Sequence, residues 1–309
     1  MRILVTGATG FVGSRLLSPL RDAGHEVTVL VRDAARYAGP ADVRVVEGDL
    51  LEPGSFDEAL DVDAAYYLVH SMQSGADFAE RDRRAAQHFA DAASAAGVDR
   101  VVYLGGLGEE REDLSKHLES RREVERILGE GDYDLTTLRA AIIIGEGSAS
   151  FDMIEQLVRK LPVMITPQWV RTDCQPIAIA DVIQYLVGVL DHPETAGETY
   201  EIGGPDVLTY EQIMRQTARQ LGRKLFIVPV PVLTPKLSSH WVGFVTDVPN
   251  SVARPLIDGL KNPVVVHDTR LQDLLDVEPT PFDVAVARAL GRDATGDSTP
   301  ATVEPSRVG

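Results

Sequence analysis

One cysteine, Cys174, occurs among 309 residues. A lone thiol forms no internal disulfide and cannot build a zinc site, so disulfide frameworks and cysteine metal centres are excluded. Cys174 lies in the run RTDCQPIAI with no activating group beside it, and is expected to act as a small buried hydrophobe. No metal ligand set is visible. No stretch of 18 or more apolar residues exists, so no transmembrane helix is expected. The opening MRILVTGATG lacks the basic start, long apolar run and cleavage site of a signal peptide, and a cytoplasmic location is expected. Lysine is scarce: Lys116, Lys160, Lys224, Lys236 and Lys261 are the full set. Acidic residues number 47 against 30 basic ones, a net charge of -17. Such a charge repels nucleic acid and anionic membranes. The acid is spread along the chain, which excludes an acidic tail and suggests a halophile-like surface for a salt-rich cytoplasm.

What is present is ordinary globular composition, 44% hydrophobic and 25% charged. The length suggests two domains, or one with a substantial lobe. Short apolar strands, Arg2 to Val5, Glu26 to Val31, Val43 to Val46, Ala64 to Val69 and Arg100 to Leu104, alternate with helical spacing at Phe11 to Arg21 and Ala76 to Ala96. That alternation predicts α/β architecture, a doubly wound parallel sheet. The runs ILV, VTVL, YYLV and VVYL are continuously apolar, as strands covered on both faces should be. Helices are expected at Ser115 to Leu128, Phe151 to Leu161 and Ala180 to Leu190, with strands at Leu135 to Arg139 and Thr199 to Ile202. Thr209 and Gln212 form a capping-box pattern opening one more helix, which ends near Gly222. Six prolines punctuate 225–263, which reads as an irregular lobe over a cleft. The division expected is 1–150 for a nucleotide-binding core, 151–290 for a smaller C-terminal substrate lobe with core-completing segments at about 177–205, and 291–309 for a disordered tail.

The strongest signal is Thr6-Gly7-Ala8-Thr9-Gly10-Phe11-Val12-Gly13. It follows a predicted strand and opens a predicted helix, the context in which a glycine trio cradles a dinucleotide. Gly7 permits the tight turn, Gly10 lets backbone approach a pyrophosphate, and Gly13 lets helix pack on strand. Thr6, Thr9, Phe11 and Val12 complete the candidate cradle. The second strand runs into Arg32 and then Asp33. Arginine there suits a 2′-phosphate, so NADP is the expected cofactor, with Asp33 keeping NAD open.

The G-x-x-G-x-x-G spacing resembles the short-chain dehydrogenase/reductase superfamily, in its extended and atypical branches. With YLVHSM, YLGGLG, the His117-Leu-x-Ser-Arg121 run and IIIGEGSASF, the chain is similar to an atypical subgroup near NmrA-like proteins and the Rossmann-type accessory subunit of respiratory complex I. The resemblance implies that Asp49, followed by Leu50, lies by the adenine; a loop-capping Asp49 is the alternative. Val69, His70 and Ser71 follow the fourth strand, at the carboxyl end where ligands sit. The superfamily carries Tyr-x-x-x-Lys on the helix after the fifth strand, with a hydroxyl residue at that strand's end. Here Gly105 replaces the hydroxyl, and His117 and Arg121 stand at the Tyr and Lys positions. Histidine can donate a proton near neutrality and arginine can clamp a ribose or phosphate.

Three readings follow. One is an oxidoreductase reducing a small carbonyl or quinone with His117 and Arg121, the lobe supplying Trp169, Trp241 and Phe244 to a pocket. Another is a non-catalytic dinucleotide-binding sensor or respiratory-complex accessory protein. The third is a nucleotide-sugar epimerase or dehydratase. A small-molecule substrate is the expected partner. Leu225 to Val245 is apolar enough to touch lipid or quinone, but carries only Lys236 and His240, so burial is expected.

Overall fold

The computed structural model describes residues 1–70, 77–108, 116–230 and 259–292, the side chains of Lys116, His117, Gln168 and Trp169 excepted. Seven strands form one parallel sheet: β1 (Arg2–Thr6), β2 (Glu26–Val31), β3 (Arg44–Glu47), β4 (Ala64–Tyr67), β5 (Arg100–Gly106), β6 (Asp134–Ala140) and, after a long excursion, β11 (Thr199–Ile202). Their spatial order is β11-β6-β5-β4-β1-β2-β3, and every pairing is parallel. The winding direction reverses between β1 and β4, so the crevice at their carboxyl ends is where a ligand belongs.

The apolar strand runs are explained by helices on both faces. Ile3 and Val5 pack with Leu16, Leu17 and Leu20 of α1 (Gly13–Asp22) and with Val182, Leu186 and Val189 of α5 (Ile179–Asp191). Leu4, Ala65 and Tyr67 pack the other way, against Ala86 and Phe89 of α2 (Phe78–Ala96) and Val124 and Leu128 of α3 (Lys116–Leu128). Successive residues of one strand thus feed opposite cores.

The excursion between β6 and β11 runs through β7 (Ile143–Ile144), α4 (Ala149–Lys160), β8 (Val163–Pro167), β9 (Asp173–Cys174) and β10 (Ile177–Ala178). Beyond β11 come β12 (Leu208–Thr209), α6 (Tyr210–Gln220), β13 (Phe226–Val230), α7 (Arg270–Leu274) and α8 (Phe282–Ala289). A separate core joins α4, α6, α8, β8 and β13 through Phe151, Met164, Ile213 and Phe282. Thr209 and Gln212 make the capping box, with Gln212 N donating to Thr209 Oγ1 and Thr209 N to Gln212 Oε1. Cys174 is fully buried in this core. The buried Asp181 carboxylate accepts from Thr280 N at 2.7 Å and Thr280 Oγ1 at 2.8 Å, tying the last segment to α5.

Two expectations are corrected. The first helix starts at Gly13, because Phe11 and Val12 are used in the glycine turn. The proline-punctuated stretch begins with a regular strand: among the described residues β13 pairs only with β8, so Pro229 sits in an edge strand there, where a missing N–H is tolerated. Residues 231–258, including Trp241 and Phe244, and the expected tail beyond residue 292 lie outside the described residues.

Candidate dinucleotide site

The glycine turn joins β1 to α1 at the switch point. Gly7 has φ +67°, and a Cβ there would stand 2.6 Å from the Leu68 carbonyl oxygen. Only glycine fits both the left-handed backbone and this close approach to the chain leaving β4. A Cβ on Gly13 would fall 2.3 Å from the Gly7 oxygen. Gly10 N donates to Gly7 O at 2.9 Å, closing the turn. Among the described residues the amides of Phe11 and Val12 have no hydrogen-bond acceptor. These N–H groups at the start of α1 form an anion cradle, which fits a dinucleotide pyrophosphate.

Thr9 and Gly10 are exposed at the turn. Thr6 is fully buried: its hydroxyl donates to Tyr66 O at 2.9 Å and accepts from Leu68 N at 3.2 Å. Thr6 therefore welds β1 to β4 beneath the turn. Arg15 was missed by sequence reasoning. Its guanidinium lies 4.6 Å from the Phe11 ring centroid and donates to Phe11 O (2.8 Å) and Glu146 O (2.7 Å). That clamps the loop after β7 to the glycine turn.

At the end of β2, Asp33 caps a short turn over Ala34–Arg36, accepting from Ala35 N at 3.1 Å. Glu47 takes the Ala34 amide at 2.8 Å. The Asp33 carboxylate is thus partly committed to its own backbone. Arg32 and Arg36 flank it, both exposed, and neither guanidinium makes a hydrogen bond or ion pair among the described residues. Arg36 carried no weight in the sequence reading, although it lies one turn from Arg32. Asp49 is a loop cap: its Oδ1 accepts from Leu51 N at 2.9 Å, and Ser55 Oγ bridges its backbone. Leu50 is buried, and its carbonyl accepts from His88 Nδ1 at 2.8 Å. Val69 packs partly into the core under α2 and α3. Ser71 lies outside the described residues.

Arg121 approaches the carboxyl end of β5 from α3. Its guanidinium lies 5.1 Å from the Tyr103 ring centroid, and Nη2 donates to Leu104 O at 2.5 Å. Its Nη1 is buried without a partner among the described residues, a donor available to a ligand oxygen. His70 is pushed down to about 4, first by desolvation and second by the Arg121 charge. His70 is exposed at its surface yet crowded by protein around it, as in a cleft, which disfavours its charged form. His70 and Arg121 therefore share one end of the sheet, and His70 is neutral at pH 7. His117 stands one helical turn before Arg121 on α3; its side chain lies outside the described residues.

The glycines that end β5 have a packing reason. A Cβ on Gly105 would meet the Tyr103 ring at 3.1 Å, and one on Gly106 would meet Leu118 at 3.0 Å. Side chains from β5 and α3 crowd the space beside these glycines. Tyr103 does not replace the absent tyrosine acid: its hydroxyl donates to the Arg121 carbonyl at 3.1 Å, and burial pushes it up to about 12. Glu125 holds Arg139 through two hydrogen bonds, at 2.5 and 3.1 Å, another contact the sequence did not signal.

A parallel sheet with a reversal point and a glycine cradle there is the architecture of a dinucleotide-binding Rossmann protein. Comparison with known proteins agrees. Residues 7–193 match the model of a family described as NAD(P)H-binding, and the chain belongs to that family. It is 30% identical over 233 residues to (4-alkanoyl-5-oxo-2,5-dihydrofuran-3-yl)methyl phosphate reductase of Streptomyces griseus, covering 72% of this chain and 75% of that protein. It is 27% identical over 222 residues to mitochondrial NADH dehydrogenase [ubiquinone] 1 alpha subcomplex subunit 9 of Arabidopsis thaliana, covering 68% of this chain and 55% of that one. Its fold superposes on a nucleoside-diphosphate-sugar epimerase from Staphylococcus aureus with TM-score 0.73 at 16% identity, covering 93% of this chain and 99% of that one. No helix among the described residues is long and apolar enough to cross a membrane, and no metal-binding cluster is found among them.

Proposed function

We propose that the chain is an NADPH-dependent reductase of a carbonyl group on a small molecule. The observation that carries this reading is the ribose end of the site, where Arg32 and Arg36 are unpaired and Asp33 caps its own turn. A pair of free guanidiniums recognises a 2′-phosphate by charge-assisted hydrogen bonds, and NADPH is the usual reductant. The reductase among the relatives supports the same direction.

In this reading Phe11 and Val12 amides hold the pyrophosphate, and Arg121 Nη1 holds a ribose or substrate oxygen. A bound nicotinamide supplies hydride. His117, at the position of the family's tyrosine, donates the proton. His70, held neutral beside Arg121, orients a polar group through its N–H and does not serve as the acid.

A second reading is favoured by a specific observation: the epimerase superposition spans 93% of the chain. A nucleotide-sugar epimerase or dehydratase would keep NAD bound and return the hydride to the same substrate. The experiment follows NADPH absorbance with ketones, aldehydes and quinones, and in parallel NAD with nucleotide sugars. Net NADPH oxidation that falls at least 10-fold in His117→Ala is the expected result. Sugar epimerisation without net oxidation would replace this reading with the second. Binding without turnover on either panel would leave a sensor or accessory subunit.

A further inference from the structure

The lobe contains a two-stranded parallel sheet, β8 beside β13, whose two faces differ in kind. The register sets Phe226 beside Val163 and Val228 beside Ile165. Alternation places these four on one face. Phe226 is 62% exposed, Val163 53%, Ile165 61% and Val228 49%. Met164 and Ile227, on the other face, are buried in the lobe core. The sequence reading expected the Leu225 to Val245 stretch to be buried; its first strand instead presents apolar side chains outward. Isolated exposed apolar residues are ordinary, but four adjacent large ones mark a contact surface.

Basic residues collect at one end of this face, where the two strands start. Against a net charge of -17, residues 156–172 hold Arg159, Lys160 and Arg171 with no acid, and residues 212–230 hold Arg215, Arg219, Arg223 and Lys224 with no acid. Because the strands are parallel, Arg159 and Lys160 precede one strand at the same end where Arg223 and Lys224 precede the other. Phe226 N donates to Pro162 O at 3.0 Å, and the Arg223 guanidinium donates to the Arg159 carbonyl, which fixes that end. Among the described residues, Glu155 pairs with Arg159 and Glu211 with Arg215, each from a neighbouring helical turn. Arg223 and Lys224 have no carboxylate partner among the described residues.

We propose that this face docks on an anionic lipid bilayer, with Val163, Ile165, Phe226 and Val228 entering the interface and the basic residues at the strand starts meeting headgroups. A flat apolar patch with a cationic margin supplies both attractions that interfacial binding uses. Screening limits the reach of charge to about 8 Å at physiological salt, so the local basic margin outweighs distant acids once contact is made. The sequence hid this margin because its residues precede each strand and are about 60 positions apart in the chain.

The test is flotation of the full chain with vesicles of phosphatidylcholine alone and of phosphatidylcholine with 30% phosphatidylserine. Two double variants are compared, Ile165→Asp with Phe226→Asp, and Arg223→Glu with Lys224→Glu; unchanged dinucleotide binding confirms that each is folded. Expected are at least 10-fold stronger binding to the anionic vesicles, a 10-fold loss in either variant, and release by added salt. Absence of flotation at millimolar anionic lipid overturns the proposal, as does wild-type binding by both variants. A dimer that the Ile165→Asp, Phe226→Asp variant dissolves, in a protein that ignores vesicles, overturns it in favour of an interface between copies.

Discussion

Replacing Arg32 and Arg36 together by alanine probes the ribose end directly. Both are exposed and unpaired, so their removal breaks no internal ion pair. Hydrogen bonds to charged groups contribute about 1.5–3 kcal/mol each. Exposure and screening favour the low end, so the pair contributes about 3 kcal/mol toward a 2′-phosphate. At about 1.4 kcal/mol per decade, that is roughly 150-fold in NADPH affinity. NADH lacks the phosphate, and its affinity should change less than about 3-fold on the same scale. The assay is a nicotinamide-fluorescence titration of the double variant, each single variant and wild type at low and at high salt. Each single variant should lose part of the preference, and high salt should shrink it, because the Debye length falls to about 3 Å at 1 M. Equal losses for NADPH and NADH would refute the reasoning, as would no change in either, since the arginines would then not face the 2′-phosphate.

Other expectations follow from the same geometry. Gly13→Ala forces a Cβ to 2.3 Å from the Gly7 oxygen and should cost at least 10-fold in dinucleotide affinity, read by titration, whereas Gly24→Ala, with open space around its Cβ but a φ of +87°, should lower stability and leave binding intact. The Cys174 thiol is pushed up to about 12 by burial, so it should stay inert to thiol reagents at pH 8 until the chain is unfolded; rapid labelling of native protein would contradict that. His70 has a folded pKa of about 4 against about 6.5 unfolded, so the unfolded state binds more protons between those values. Its contribution is therefore lost as pH falls from about 6.5 to about 4, and His70→Gln should flatten the melting-temperature profile in that window; superimposable profiles would refute the shift. Self-repulsion at a net charge of -17 should make the melting temperature rise with salt, and equal stability in low and multimolar salt would count against the halophile-like reading.

The sheet was legible because its strands are short and apolar and several alternate with helices, and Glu26–Val31 and Thr199–Ile202 were placed to the residue. The glycine turn was legible because its demands are local: a positive φ and two close approaches within seven positions. The end of the second strand was half legible: Arg32 follows the strand directly, but the Asp33 cap on Ala35 left no mark in the spacing. Contacts between distant segments left no trace in spacing, among them Arg15 on Glu146, Glu125 on Arg139 and β8 on β13. Proline density also misled, because Pro229 is harmless on an edge strand but reads as a breaker in a one-dimensional pattern.

The seventh strand carries a consequence for how this molecule is made. β11 pairs with β6, yet 58 residues separate Ala140 from Thr199, and α5, which covers α1, also arrives late. A nascent chain halted after β6 has a bare strand edge and an uncovered helix, both prone to illicit pairing. The nucleotide cradle is encoded in the first thirteen residues, but its platform is finished only when the excursion between β6 and β11 has been made. Synthesis therefore delivers the two halves as one interlocked unit, and cutting at residue 150 would release an adhesive fragment.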